Sequence, residues 1–265
     1  MTAKRRHLKE LAQDPRFIPG IHNYCDRWCE RCPLTSRCLV FAVEQDDAGE
    51  PASQDIHNQA FWERLQSHLA EATEILQDLM EEHGLALDPE EMDPERDRIR
   101  ERTEAAEHDP CAAAASAYAD AVDEWFVTAD ARFEERGTAL ECQLELGLAG
   151  GDPGGDVRRL RDAVEIIRCY QHQIAVKLMR AAGSASQDEE LDSGDASGSA
   201  KVALIGMDRS ITAWAELLRQ FPDEEDRLLS LLHDLSRLRR EVERSFPGAR
   251  PFVRPGFDTG ERPVS

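Results

Sequence analysis

Hydrophobic positions recur along most of the chain at intervals of three and four residues, the period of a helix with one buried stripe. Phe61, Leu65, Leu69, Ala72, Leu76 and Leu79 form the first such stripe. Its helix is expected to be capped near Ser53 or Asp55 and stopped by Gly84 in a left-handed C-terminal position. Between Pro94 and His108 the pattern lapses into alternating Glu, Asp and Arg, which predicts an exposed helix held by pairs four residues apart. A second core helix is expected over 111–136, with Tyr118, Val122, Trp125, Phe126, Ala129 and Phe133 inward, and with Leu140, Leu144 and Leu148 continuing it past Gly137.

After the turn Gly150–Gly155, a helix over 156–182 carries Val157, Leu160, Val164, Ile167, Ile174 and Leu178, with Gln171 in one polar core slot. Two more follow: 201–220 with Val202, Ile205, Ile211, Ala215 and Leu218, and 223–246 with Leu228, Leu231, Leu235, Leu238 and Val242. Residues 183–200 hold Leu191 as their sole large apolar side chain, too little burial to offset ordering, so a disordered linker is expected there. Nowhere does a strand-like alternation stand out. The predicted fold is all-α: a helical bundle of about five long helices behind a short N-terminal Cys-rich module. The expected divisions are a metal-binding module over 1–45, bundle helices over 54–182, the linker over 183–200, a helical hairpin completing the bundle over 201–246, and an irregular tail over 247–265.

Composition changes this picture in one respect. Net charge is -21, but residues 1–40 carry eight Lys and Arg against four acids, so that stretch is +4 and the remainder -25. A basic cysteine module is thereby set apart from an acidic helical body. The acidic excess argues against nucleic acid as a partner of the body, because phosphates are repelled, and favours a protein partner. No apolar run approaches the roughly 18–20 residues of a membrane span. The opening MTAKRRHLKELAQDPRF lacks the apolar core of a secretory signal, so a cytoplasmic location is expected, where thiols stay reduced or bind metal.

The chemistry is concentrated in Cys25, Cys29, Cys32 and Cys38, four of the seven cysteines within 14 residues, spaced C-x3-C-x2-C-x5-C. Four thiolates complete the tetrahedral shell of Zn²⁺ and equally the ligand set of a [4Fe–4S] cluster. Cys25, Cys29 and Cys32 at i, i+4 and i+7 would share one face of a helical turn, with Pro33 ending the turn and the chain returning to deliver Cys38. Structural zinc sites usually use two separated C-x2-C pairs and this run has one, so the cluster is preferred and zinc is the alternative. The Cys25-x3-Cys29-x2-Cys32 spacing resembles the cluster loop of radical SAM enzymes. That likeness covers about eight residues and is no family assignment: Arg31 stands where those enzymes usually carry an aromatic residue, the body has no barrel pattern, and Cys38 would fill the iron position they leave open.

Other sites are thinner. A carboxylate-bridged di-iron centre needs Glu-x-x-His pairs, and the residues three before His83, His172 and His233 are Met80, Cys169 and Ser230. His68 with Glu71, or Glu165 with Cys169 and His172, could line a pocket in the helical body, the basis of an enzyme reading. Phosphate-binding loops, nucleophile elbows and HExxH sequences are missing from the chain. Three functions therefore stand: a redox or structural accessory carrying a [4Fe–4S] site and acting with a protein partner, a zinc-stabilised interaction module, and an enzyme with a pocket in the body.

Overall fold

The computed structural model describes residues 10–46, 58–85, 89–147, 152–185 and 193–258, and these are all-helical, with no strand among them. Seven α-helices are named: α1 (Leu39–Asp46), α2 (Gln59–His83), α3 (Pro89–Glu107), α4 (Pro110–Glu145), α5 (Pro153–Ala185), α6 (Ser193–Gln220) and α7 (Glu225–Ser245). No helix of the described residues is long and apolar enough to cross a membrane. The chain divides into two compact units. The larger comprises residues 23–26 and 100–254, and the smaller comprises residues 1–22, 27–99 and 255–265.

In the larger unit α4, α5, α6 and α7 close a ring in which each helix packs against two others. Neighbours run antiparallel, as cross-helix pairs show. Arg168 reaches Asp123 at 2.6 Å while Gly154 lies against Leu144. Arg180 meets Asp195 while Arg159 meets Glu216. Cys111 lies beside Ser245 while Arg227 bonds Thr128 at 2.9 Å. Short connections between consecutive helices enforce this up-and-down order. Local chemistry sets the helix starts: Asp109 accepts from the amides of Cys111 and Ala112 ahead of Pro110, and Asp152 accepts from Gly155.

The core is aromatic at its centre. Trp125 meets Trp214 edge-on at 5.2 Å and 82°, and the Trp214 indole donates to the Tyr118 hydroxyl at 2.7 Å, so a fully buried polar hydrogen is satisfied. The α7 stripe and the first part of the α4 stripe lie as their patterns predict: Leu228, Leu231, Leu235, Leu238 and Val242 are buried, as are Tyr118, Val122, Trp125, Phe126 and Ala129, while Phe133 is half-buried; further along α4 Leu140 is buried but Leu144 is exposed, and Leu148 lies outside the described residues. On α5, Ile167, Ile174, Leu178 and the polar Gln171 are buried, but Val157, Leu160 and Val164 are only half so. On α6 the buried face is rotated from expectation. Val202 is buried as expected, but beyond it Leu204, Met207, Trp214 and Leu217 face the core, Ile205, Ile211 and Leu218 are half-buried, and Ala215 is exposed. The bulkier Met and Trp claim the interior, and Gly206 lets α5 close in, since a Cβ there would stand 2.9 Å from Tyr170.

The segment expected as a linker over 183–200 is helical at its ends: α5 runs to Ala185 and α6 begins at Ser193, while residues 186–192 lie outside the described residues. Ala196, Ser199 and Ala200 are buried, so this stretch orders by close packing of small residues rather than by large apolar ones. Gly198 shows how tight that packing is, because an added methyl would collide with the Tyr24 ring and approach Phe252 to 2.8 Å.

The smaller unit is built differently. Among its described residues Ile21 and Leu34 are the buried apolar ones, and Gly256, in the left-handed region at φ 75°, packs its bare Cα against Ile18 and Ile21. α2 starts at Asn58, whose side chain accepts from Ala60, and ends on Gly84 at φ 64°, the predicted left-handed cap; Ser53 and Asp55 lie outside the described residues. Its stripe, predicted as a buried face, is not buried: Leu65, Leu69, Ala72, Leu76 and Leu79 are exposed, Phe61 is half-buried, and no residue of α2 is buried. The periodicity records an amphipathic helix, but amphipathicity does not by itself say what covers the apolar side.

This contrast has a measurable consequence. In chemical denaturation, Leu235→Ala is expected to cost about 2–5 kcal/mol as a buried truncation. Leu69→Ala, at a position 60% exposed, is expected to stay within about 0.5 kcal/mol of the parent.

Candidate metal centre

The four cysteines sit in a run of short turns, not on one helix. A 3-10 turn covers Ile21–Tyr24, others cover Cys29–Arg31 and Thr35–Arg37, and residues 25–28 are irregular. The expected single helical face for Cys25, Cys29 and Cys32 is therefore not formed. Arg27 accounts for the break, since its φ of 56° is left-handed and incompatible with helix propagation.

Each remaining cysteine has a defined local setting. The Cys32 amide closes the turn onto the Cys29 carbonyl at 3.2 Å, and the Cys38 amide closes the next onto Thr35 at 3.1 Å. A 3-10 turn brings i and i+3 to the same side, the geometry a C-x2-C pair needs. Beyond it, the Leu34 amide donates to Cys32 Sγ at 3.4 Å. A hydrogen bond to sulfur favours the charged thiolate, the form that binds metal. The turns are tied together by the Ile18 amide on the Arg37 carbonyl at 3.0 Å, and the Arg31 guanidinium lies over the Trp28 ring at 4.2 Å. All four cysteines are half-buried.

Cys25 belongs to the larger unit, within the strip 23–26 that the helices grip. Tyr170, fully buried, donates its hydroxyl to Asp26 Oδ2 at 2.7 Å, and Arg209 reaches the same oxygen at 2.7 Å as well as the Tyr170 hydroxyl. Gln173 donates to the Asp26 carbonyl and Lys177 to the Asn23 carbonyl. The Tyr24 ring stands edge-on to Phe252 at 4.8 Å over Gly198. Burial, reinforced by the Asp26 carboxylate, pushes the Tyr170 hydroxyl far up, so it stays a donor at any ordinary pH.

Among the described residues, no three His, Cys, Asp or Glu side chains converge as a ligand set. Cys25 belongs to the larger unit and Cys29, Cys32 and Cys38 to the smaller. His172 and Glu165 are exposed. His172 lies 3.4 Å from Asp123, which also accepts from Arg168 and Gln171, in a surface network. Two surface hollows of about 370 and 250 Å³ lie elsewhere: one between α4 and α7, floored by Ala114, Ala117 and Leu231, the other around Arg136, Gln220 and Glu224. Neither includes His172 or Glu165. Cys111 is buried, which pushes its thiol up and away from reactivity.

Sequence reasoning missed the residues that hold the strip, namely Tyr170, Gln173, Lys177, Arg209 and Gly198. One signal was present: Asp26 is an acid inside a basic run, and a Tyr at an inward heptad position needs a polar partner. Comparison of the chain with protein-family models, with curated proteins and with solved structures gave no match.

Where Tyr24 docks, Asp195 offers a pH test. Burial alone would raise its carboxyl, but bonds from Arg180, Ser184 and Tyr24 outweigh that and hold it below its ordinary value. A depressed native pKa stabilises the fold above the unfolded value near pH 4, and that contribution is lost as pH falls further. Asp195→Asn should therefore flatten the acid limb of a stability–pH profile below about pH 4 while lowering stability at neutral pH; an unchanged acid limb would refute this assignment.

Proposed function

We propose that this is a metalloprotein in which Cys25, Cys29, Cys32 and Cys38 bind a [4Fe–4S] cluster, and that it serves as a redox or structural accessory to a protein partner. The observation that carries the reading is the C-x3-C-x2-C-x5-C run, four thiols in 14 residues. The amide-to-sulfur bond on Cys32 supports it, because hydrogen bonds to cysteine sulfur stabilise thiolate and tune cluster potential. Metal binding would supply folding free energy to a short segment with a small core. With four cysteines and four cluster irons, no iron is left open for substrate. That favours electron transfer or structural support over substrate activation. Arg27, Arg31 and Arg37 would offset the negative charge of a thiolate-bound cluster, and the acidic body suits a partner with a basic face.

A second reading is a zinc-stabilised interaction module. It is favoured by the Cys29–Cys32 turn, whose closure and sulfur hydrogen bond suit a single-ion site equally well.

Anaerobic purification followed by visible spectroscopy and quantitation of iron, sulfide and zinc separates the two. The cluster reading expects brown protein with about four irons and four sulfides, colour lost in Cys29→Ala and retained in Cys142→Ala. Colourless protein with one zinc transfers the site to the second reading. Metal-free protein that folds unchanged defeats both.

A further inference from the structure

The apolar face of α2 is more regular than packing against a globular body requires. Trp62, Leu65, Leu69, Ala72, Leu76 and Leu79 follow one another at intervals of three, four, three, four and three, the strict spacing of a coiled-coil seam. All six are exposed, Leu69 by 60% and Leu76 by 55%. From Leu65 to Leu79 the positions flanking this seam hold Gln66, His68, Thr73 and Ile75, so no carboxylate borders it there. Glu71, Glu74 and Asp78 lie further round the helix.

We propose that this face pairs with the same face of a second copy of the chain, the two α2 helices running antiparallel. Charge selects the direction. Residues 59–70 hold Glu63 against Arg64 and are neutral, whereas residues 71–83 hold Glu71, Glu74, Asp78, Glu81 and Glu82 with no Lys or Arg, a charge of -5. Acids at a helix C-terminus oppose the macrodipole, and a parallel pair would set two such ends side by side. In an antiparallel pair each acidic end lies along the neutral half of the other copy, toward the positive end of that helix.

Side-chain size selects the same direction. A twofold axis between Leu69 and Ala72 brings Leu69 opposite Ala72 of the other copy, Leu65 opposite Leu76, and Trp62 opposite Leu79. A parallel pair would set Trp62 against Trp62 and Ala72 against Ala72, crowding one layer and hollowing another. The seam spans about 26 Å of helix axis, which puts it at the small end of specific interfaces, so the pairing is reversible and depends on concentration. In the dilute monomer Leu69 stays exposed, and its truncation costs the fold little.

The test uses the full-length chain, reduced and with a chelator present, so that neither disulfides nor shared metal can join two copies. By sedimentation equilibrium the mean mass is expected to rise from 29.8 kDa toward twice that value as concentration is raised from about 1 to 100 μM. Leu69→Glu puts a charge into the seam and should weaken association at least about tenfold. Ser67→Glu adds the same charge on the opposite side of α2 and should associate as the parent does. If Leu69→Glu loses helix by circular dichroism, Leu76→Gln makes the same test. Direction is read with p-benzoylphenylalanine in place of Trp62, irradiated in a mixture of isotopically light and heavy copies. Cross-links between copies should fall near Leu79, and cross-links near position 62 of the other copy overturn the antiparallel arrangement. A parent that keeps monomer mass throughout, or a Leu69→Glu protein that associates like the parent, overturns the pairing. Position-62 cross-links confined to the same chain overturn it too, and assign the face to an intramolecular contact.

Discussion

The bond between the Asp26 carboxylate and the pair Tyr170 and Arg209 is the interaction on which the placement of the candidate chemistry depends. It ties a residue from the cysteine run to the middle of α5 and α6, more than 140 positions away in the chain. A carboxylate drawn partly out of water must be compensated, and a fixed guanidinium together with a phenol that does not ionise is strong compensation. Without that tie, Cys25 would be one more thiol in a basic segment. With it, Cys25 is part of the four-helix unit, and the first possible metal ligand inherits the rigidity of a packed core.

That rigidity comes from two kinds of packing. At the centre, Trp125, Trp214, Tyr170 and Met207 fill the space between the helices, each under 2% exposed or nearly so. Such an interior resists both cavities and added volume. At the N-terminal half of α6 the rule reverses, and small residues dominate. Gly198 takes the rings of Tyr24 and Phe252, and Gly248 packs on Ser197, so the strip before Cys25 and the segment after α7 dock on the same surface. Lys201 seals it by donating to the carbonyls of Arg250 and Phe252. Two chain segments far apart in sequence thus brace one another.

The divide between what the pattern showed and what it hid follows from these two modes. Stripes of large apolar residues were legible wherever large residues do the packing: Leu228 to Val242 on α7 and Tyr118 to Ala129 on α4 lie as read. The reading failed where burial uses small residues, since SGDASGSA has the composition of a linker although Ala196, Ser199 and Ala200 are buried. It also failed on α2, because the period of Leu65, Leu69, Leu76 and Leu79 describes a face and not its partner. On α6 the pattern was ambiguous, as a helix flanked on several sides has apolar residues on more than one face, and Trp214 with Met207 decided the rotation. For the cysteines, spacing named the chemistry but not the backbone. One left-handed residue, Arg27, exchanged a helical face for a succession of turns. Tyr170 and Arg209 could not be found from period or spacing, because nothing in local sequence relates them to Asp26.

A filled core bears on where chemistry can occur. An enzyme site in the helical body would need convergent polar groups at a cavity. Three polar networks lie at surfaces, namely Asp123 with Arg168 and His172, Asp208 with Arg239 and Arg250, and Glu216 with Arg159 and Arg219, while the buried Gln220 and Glu224 stand at the hollow beside Arg136. Each surface network pairs opposite charges, the arrangement of ion pairs that hold helices in register. The thiols contrast with these, since four reducing groups gathered in 14 residues have no role in packing that one or two small apolar side chains would not fill better. What the helices do is hold the Cys25 end of the run still, through Asn23 and Asp26.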